Sequence, residues 1–200
     1  MDYAFCLEMF YTDIPFIDRL ERAQKDGINK IEFWDWRDKN LNLLKEKLTE
    51  LDMTVCNMSG NRNFGMIDPT ERSQFIEEVT ETARVAKDLG CPTLMLLVQS
   101  LEEDNGGRVS SVSLSQQELE NNIIECGKQV SGIADKFDLN IVIEPLNTVL
   151  DHPRYELYSS DMAFRVIKTI NHPRVKLLYD IYHMAMQGEN VLNDIEQNLN

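Results

Sequence analysis

The stretch Val175–His183, VKLLYDIYH, ends an apolar run with a carboxylate and places an imidazole shortly after it. A short apolar run of this kind is typical of a strand buried inside a protein. The run stops at Asp180, and the residues after it no longer alternate or cluster as a strand does. We therefore interpret residues 175–180 as a buried strand with Asp180 at its carboxyl end.

The same unit recurs along the chain. Amphipathic segments separate the strand-like runs, and Asp68-Pro-Thr-Glu71 is predicted to cap one helix that Gly90 ends, while Ser115-Gln-Gln-Glu118 caps the next. Strand and helix alternating in this way predict the α/β class, with a parallel sheet and right-handed crossovers. The strand-like runs are residues 3–10, 30–36, 54–58, 93–98, 140–145 and 175–180.

Two architectures are compatible with this order, a doubly wound open sheet and a (β/α)8 barrel. No GxGxxG sequence follows the first run, which weakens the dinucleotide-binding form of the open sheet. Polar residues end many of the runs, and a barrel gathers all such strand ends at one face, whereas an open sheet gathers them only near its switch point. We therefore predict a TIM barrel. These polar strand ends are Glu32 to Asp35, Asn57, Gln99, Glu144 and Asp180.

The charge and composition of the chain exclude some classes of partner. The 34 acidic residues outnumber the 20 basic ones, and a nucleic-acid binder needs a dense basic face, so we expect no nucleic-acid partner. No apolar run is long enough to span a bilayer, and the first residues do not read as a secretory signal. The four cysteines form no CxxC pair. These features predict a cytoplasmic protein with free thiols, no membrane partner and a small-molecule substrate.

Glu144 and Asp180 form the first candidate site. A buried carboxylate is unfavourable unless it is paired or bound to a cation. Adjacent parallel strands lie about 4.8 Å apart, so carboxylates at two neighbouring strand ends can share one metal. Mg2+ and Mn2+ prefer carboxylate oxygens, and the imidazole of His183 extends the choice to Zn2+ and Co2+. The alternatives are that Asp180 caps a helix and that His183 is a structural histidine.

Several other residues at the same predicted face are candidates for binding a substrate. Trp34 and Trp36 could wall a pocket or simply pack against the core. Arg37 could hold a substrate carboxylate or be a solvated surface residue, and the same holds for Arg62. The candidate substrate-binding residues are His183, Glu32, Asn57 and Arg62.

Two segments carry a resemblance to a known family. IVIEPLN (141–147) and LLYDIYHMAMQGEN (177–190) closely resemble the hydroxypyruvate isomerase branch of the xylose-isomerase-like TIM barrels. Weaker similarity extends through GINKIEFW (27–34) and the helix ending in ARVAKDLG (83–90). The resemblance implies a divalent metal held by a Glu, an Asp, a Gln or His and a second Glu, of which the first two match Glu144 and Asp180. It also implies that His183 contacts substrate oxygens and that Glu144 is a catalytic acid/base group.

The function implied by the resemblance is a metal-dependent isomerase of carbohydrate metabolism. It would convert a small hydroxy-keto acid or sugar by proton transfer through an enediolate, as in hydroxypyruvate to tartronate semialdehyde. A sugar epimerase, an inositol-type dehydratase and a non-catalytic binding module remain as alternatives. An apurinic endonuclease shares the fold family, but the acidic charge argues against it.

The length of the chain bears on its domain organisation. A (β/α)8 barrel takes about 250 residues, whereas this chain ends at Asn200 after its sixth strand-helix unit. We therefore expect residues 1–200 to be a single barrel domain, apparently truncated, in which strands seven and eight are missing. The resemblance places the second metal-binding glutamate on a missing strand, so we expect the chain to be inactive by itself. Unpaired sheet edges would also favour a homo-oligomer.

Overall fold

Strands and helices alternate along residues 3–198, the part of the chain that the computed structural model describes. The strands are β1 Phe5–Cys6, β2 Lys30–Phe33, β3 Thr54–Ser59, β4 Thr93–Leu96, β5 Asn140–Ile143 and β6 Val175–Leu177. The helices are α1 Phe16–Lys25, α2 Leu41–Glu50, α3 Arg72–Leu89, α4 Gln116–Phe137, α5 Ser160–Ile170, α6 Ile181–Gln187 and α7 Val191–Asn198.

The six strands form one parallel sheet in the order in which they occur along the chain, from β1 to β6. A doubly wound sheet reverses its strand order at a switch point, and this sheet has no such reversal. The sequential order is that of a (β/α) barrel. The predicted α/β barrel architecture is therefore confirmed, and the doubly wound alternative is wrong.

Five of the six strands are shorter than the apolar runs that predicted them, and β3 extends one residue beyond its run. The first run, 3–10, contributes only Phe5–Cys6 as a strand, and the chain turns directly after it. Leu7 is nevertheless fully buried, and its N–H continues the pairing to the Glu32 carbonyl at 2.9 Å. An apolar run reports burial, and burial extends into loops that pack on the core, so such a run overstates the length of its strand.

The predicted start of α3 is wrong, whereas the other predicted helix ends are confirmed. The helix begins at Arg72, and Asp68 instead accepts hydrogen bonds from the N–H and hydroxyl of Thr70 at 2.8 and 2.7 Å. The second oxygen of Asp68 accepts from the Ser111 N–H at 2.6 Å, so this residue joins two loops. The capping box at Ser115 opens α4 as predicted, and Gly90 ends α3 with a left-handed φ of 69°.

Side-chain alternation gives the sheet two different faces. Phe33 lies against α1, with its ring centroid 5.8 Å from that of Phe16, and Ile143 on β5 is fully buried. Residues of the other parity, such as Glu32, are half-buried and face away from the helices. Glu32 therefore lies on the inner side of the sheet.

Two observations bear on the predicted environment of the chain. Among the described helices, none combines the length and the apolar character that crossing a bilayer requires. All four cysteines are free thiols, as predicted, and two of them, Cys91 and Cys126, are buried.

Candidate metal centre at the strand ends

Glu144, Asp180 and His183 meet at the carboxyl ends of β5 and β6. Glu144 directly follows β5, Asp180 precedes α6, and His183 lies in the first turn of that helix. One oxygen of each carboxylate and one imidazole nitrogen all lie within 4.8 Å of one another. The pairing of β5 with β6 produces this arrangement, because parallel neighbours end at the same edge of the sheet.

Glu144 is the most unusual residue of the group. It is 9% exposed, and no described residue donates a hydrogen bond to its carboxylate oxygens. Burial, followed by the nearby charges of Asp180 and Glu32, raises the pKa of its carboxyl to about 8. A buried carboxylate without donors and beside other anions is unfavourable unless a cation compensates it. These oxygen donors therefore fit a hard divalent cation.

The backbone of Glu144 is held by Tyr155, a residue that sequence reasoning missed. The buried Tyr155 hydroxyl donates to the Glu144 carbonyl at 3.0 Å and accepts from the Val98 N–H at 2.8 Å. The Glu144 N–H donates to the Leu96 carbonyl at 3.1 Å. The end of β5 is thus joined to the end of β4 by one phenol. No sequence pattern indicates this role, because both partners are backbone groups.

The capping role considered for Asp180 is confirmed. Asp180 is the N-cap of α6, and one of its carboxylate oxygens accepts from the His183 N–H at 3.0 Å. Capping uses one oxygen only. The second oxygen can serve a cation, so the capping role and a ligand role are compatible.

A network around Asn147 holds the imidazole of His183. Nδ1 of His183 lies 2.8 Å from Nδ2 of Asn147, and the His152 ring packs on the imidazole with the centroids 5.3 Å apart. The amide oxygen of Asn147 accepts from the N–H groups of Leu150 and Asp151 at 3.0 and 3.1 Å. Burial lowers the pKa of the imidazole more than the adjacent Asp180 carboxylate raises it. The neutral ring is therefore favoured.

With this geometry in place, comparison with known proteins decides the family. The sequence profile described as xylose isomerase-like TIM barrel matches residues 20–199. The chain belongs to this family.

Several curated proteins and many solved structures are similar to this chain. Hydroxypyruvate isomerase of Escherichia coli K12 is 27% identical, over 92% of this chain and 70% of its own length. The 2-oxo-tetronate isomerase of Pectobacterium atrosepticum is 25% identical, over 97% and 74%. The structure of an AP endonuclease of family 2 from Brucella melitensis has a TM-score of 0.81 at 21% identity, covering 97% of this chain and 74% of that one. A structure of IOLI protein with a zinc atom also scores 0.81, at 19% identity over 98% and 68%.

Glu32 and Asn57 lie on the inner side of this xylose isomerase-like barrel. Nδ2 of Asn57 donates to the Glu32 carboxylate at 3.1 Å, and the charge of Glu32 reaches Glu144. Oδ1 of Asn57 and the hydroxyl of Ser59 are buried and have no hydrogen-bond partner among the described residues. The second and third strands thus add a carboxylate and polar atoms to the face that bears Glu144 and Asp180.

The two arginines considered at this face differ in their surroundings. Arg37 forms ion pairs with Glu78 at 3.2 Å and Asp35 at 3.1 Å, and it stacks on Trp36 at 4.7 Å. The guanidinium of Arg37 is therefore already engaged. Arg62 donates only its backbone N–H to Glu78, at 3.1 Å, and its half-buried side chain forms no ion pair with another described residue.

The two tryptophans also separate. The indole N–H of Trp36 donates to the Thr82 hydroxyl at 3.2 Å, and the ring packs against the core. Trp34, directly after β2, is 43% exposed. Packing is therefore the role of Trp36, and Trp34 stays a candidate for contact with a substrate.

Gln99 joins the two long loops that follow β4 and β5, residues 97–115 and 144–159. Its amide nitrogen donates to the carbonyls of Arg108 and Arg154 at 3.0 and 3.1 Å, and its oxygen accepts from the Glu156 N–H at 2.7 Å. Arg154 also pairs with Asp104 at 2.9 Å. The polar end of the fourth strand, predicted to face the site, is therefore occupied by loop backbone.

Proposed function

We propose that this chain acts in an isomerase that moves a proton between carbons next to a carbonyl, in a small hydroxy-keto acid or sugar. The observation that carries the proposal is the buried Glu144 carboxylate, which has no hydrogen-bond donor and lies beside Asp180. The names of two relatives, hydroxypyruvate isomerase and 2-oxo-tetronate isomerase, support the hydroxy-keto-acid class.

In the proposed reaction Glu144 and Asp180 hold a divalent cation, Mg2+ or Mn2+ by the preference of carboxylate oxygens, with Zn2+ or Co2+ as alternatives. When bound, the cation polarises the carbonyl and hydroxyl oxygens of the substrate.

The proton transfers belong to the protein. The Glu144 carboxylate removes a proton from the hydroxyl-bearing carbon next to the carbonyl, giving an enediolate. The proton of that hydroxyl passes to the former carbonyl oxygen, and a carboxyl group returns a proton to the former carbonyl carbon. His183 donates a hydrogen bond to a substrate oxygen, and Glu32 and Asn57 contact its hydroxyl groups, with Arg62 as the candidate for a substrate carboxylate. With hydroxypyruvate as substrate, the product would be tartronate semialdehyde.

Metal binding gives the most direct test. Mn2+ is titrated into the metal-free protein and followed by electron paramagnetic resonance, for the wild type, Glu144→Gln and Asp180→Asn. Each variant removes a ligand charge, and Asp180→Asn preserves the helix cap, so we expect each to weaken binding by at least about 10-fold. Glu156→Gln is the matched control, because Glu156 is half-buried, like Asp180, but lies outside the cluster.

Product analysis gives the second part of the test. Hydroxypyruvate and several ketoses are incubated with Mn2+ and a form of the protein that spans the full length of its relatives, and the products are identified by mass and by NMR. Isomerisation conserves mass, whereas dehydration loses water. Glu144→Gln should abolish turnover, because it removes the base. Unchanged Mn2+ affinity in both ligand variants, or wild-type turnover in Glu144→Gln, would refute the assignment.

A further inference from the structure

The side chain of Asn147 is fully buried, and its orientation is determined by its partners. Its oxygen accepts two backbone N–H groups, from Leu150 and Asp151. Its NH2 group donates to the Asp151 carboxylate at 2.7 Å and faces Nδ1 of His183 at 2.8 Å. Exchanging the oxygen and nitrogen would place the oxygen against a carboxylate and the NH2 group against two N–H donors, so only one orientation is compatible with the network.

This orientation determines which nitrogen of His183 carries the proton. A neutral imidazole has one donor nitrogen and one acceptor nitrogen. Nδ1 faces the NH2 donor of Asn147, and the Asn147 backbone N–H also points to it at 3.4 Å. Nδ1 must therefore accept, and the proton must lie on Nε2.

A metal-ligating histidine needs the opposite surroundings. Such an imidazole binds the cation through one nitrogen and donates the N–H of the other to a carboxylate or carbonyl. His183 has a donor where that acceptor should be. Although it lies within reach of Glu144 and Asp180, its surroundings favour donation of a hydrogen bond over ligation of the cation.

We propose that Asn147 is a positioning residue that holds His183 in the Nε2–H tautomer, so that the imidazole donates to a substrate oxygen beside Glu144 and Asp180. The assignment of a substrate oxygen rests on the proposed function, whereas the tautomer rests on the contacts alone. The ligand class is a neutral or anionic oxygen acceptor, such as the carbonyl or hydroxyl of a hydroxy-keto acid.

Further contacts fix Asn147 against the helix that carries His183. The N–H of Thr148 donates to Oε1 of Gln187 on α6 at 2.9 Å. The hydroxyl of Tyr182, also on α6, donates to the Asp151 carboxylate at 2.8 Å. Three side chains of α6 thus bind the loop that bears Asn147, those of Tyr182, His183 and Gln187. The imidazole is therefore held from the loop side.

The tautomer can be read by long-range 1H–15N correlation NMR of the imidazoles in the metal-free protein, at a pH where they are neutral. The chain has three histidines, so His152→Gln and His172→Gln assign the signals of His183. We expect the wild-type His183 signals to show a protonated Nε2 and an unprotonated Nδ1. A protonated Nδ1, or an even mixture of both forms, would overturn the proposal.

A paired substitution tests whether Asn147 causes this tautomer. Asn147→Asp keeps the oxygen that accepts the two backbone N–H groups and replaces only the NH2 donor. Combining it with Asp151→Asn avoids two adjacent carboxylates, and Asp151→Asn alone is the matched control. We expect the proton to move to Nδ1 in the double variant and to stay on Nε2 in the control. Retention of Nε2–H in the double variant would overturn the role of Asn147.

Turnover and metal binding separate this role from a merely structural one. With a substrate identified by the product analysis, the double variant should have a kcat about 100-fold lower, which is the scale of losing one preorganised donor. Its Mn2+ affinity should equal that of the control, and a loss as large as that of Asp180→Asn would mean that Asn147 acts on the cation. Absence of Mn2+ binding, or of turnover in the form that spans the full length of the relatives, would refute the proposed function, while the NMR result would still decide the tautomer.

Discussion

Removing the Tyr155 hydroxyl tests how the end of β5 is held. Tyr155 is 1% exposed, and its hydroxyl joins the Val98 N–H to the Glu144 carbonyl at 2.8 and 3.0 Å. Tyr155→Phe deletes this oxygen and keeps the ring, so the packing of the aromatic group is preserved. The substitution leaves one backbone donor and one backbone acceptor without that partner.

The expected loss follows from these two groups. A buried polar group that loses its partner costs about 1–3 kcal/mol. We expect the Val98 N–H to contribute the larger share of the loss. The Glu144 carbonyl should contribute less, because an acceptor with two lone pairs tolerates the loss of a partner better than an N–H donor does. Together they should lower the free energy of unfolding by about 3 kcal/mol. For a chain of this size, that corresponds to a fall in Tm of roughly 6–12 °C.

Urea denaturation followed by circular dichroism measures this loss. The m-value should not change, because the substitution alters stability and not the surface exposed on unfolding. Tyr158→Phe is the control, since Tyr158 is 38% exposed, and it should stay within about 0.5 kcal/mol of the wild type. A Tyr155→Phe protein as stable as this control would refute the bridging role of the hydroxyl.

Two further substitutions test the packing of the helices and the loop contacts. Gly127→Ala on α4 would bring a Cβ into overlap with the Ile170 side chain and should lower the free energy of unfolding by about 1–3 kcal/mol. Gly132→Ala on the same helix is the control, because its Cβ meets nothing within 4 Å, and it should raise the free energy of unfolding by about 0.5–1 kcal/mol. Equal effects of the two substitutions in urea denaturation would contradict this packing. Burial raises the pKa of Asp68, but hydrogen bonds from its own turn and from Ser111 outweigh this and hold the pKa well below its usual range. A depressed folded-state pKa gives stability that is present above about pH 4 and lost as the pH falls, so the deficit of Asp68→Asn in unfolding free energy should be largest near neutral pH and shrink in acid; a deficit independent of pH would contradict it.

The sequence was sufficient to predict the sheet and to select the carboxylates at its edge. Strand-helix alternation implies a parallel sheet, and parallel neighbours end together, so Glu144 and Asp180 could be expected to meet before any coordinate was known. Their proximity depends only on strand order and on chain direction. Both of these are properties that a pattern of apolar runs can report.

The loops could not be predicted in the same way. Asn147 lay within the IVIEPLN segment, but nothing in its neighbours along the chain indicates that its NH2 group faces His183. Tyr155 bonds only to backbone groups, which are the same at every position. Asp68 has the sequence context of a helix cap, yet its second oxygen accepts a hydrogen bond from the N–H of Ser111 in a distant loop. In each case the decisive partner lies far along the chain, where local propensity carries no information.

The proposed use of Asp180 as a metal ligand, in addition to its role as a helix cap, bears on how such a site can arise. The strand end before α6 needs a helix cap in any case, and Asp, Asn, Ser and Thr all meet that need. Among these only Asp brings a charge, and capping leaves its second oxygen unspent. A lineage could therefore acquire or discard the negative charge at this position through a single substitution, with the helix and the barrel unaltered. At this one position, the helix cap can thus be kept while the charge proposed to bind the metal is gained or lost.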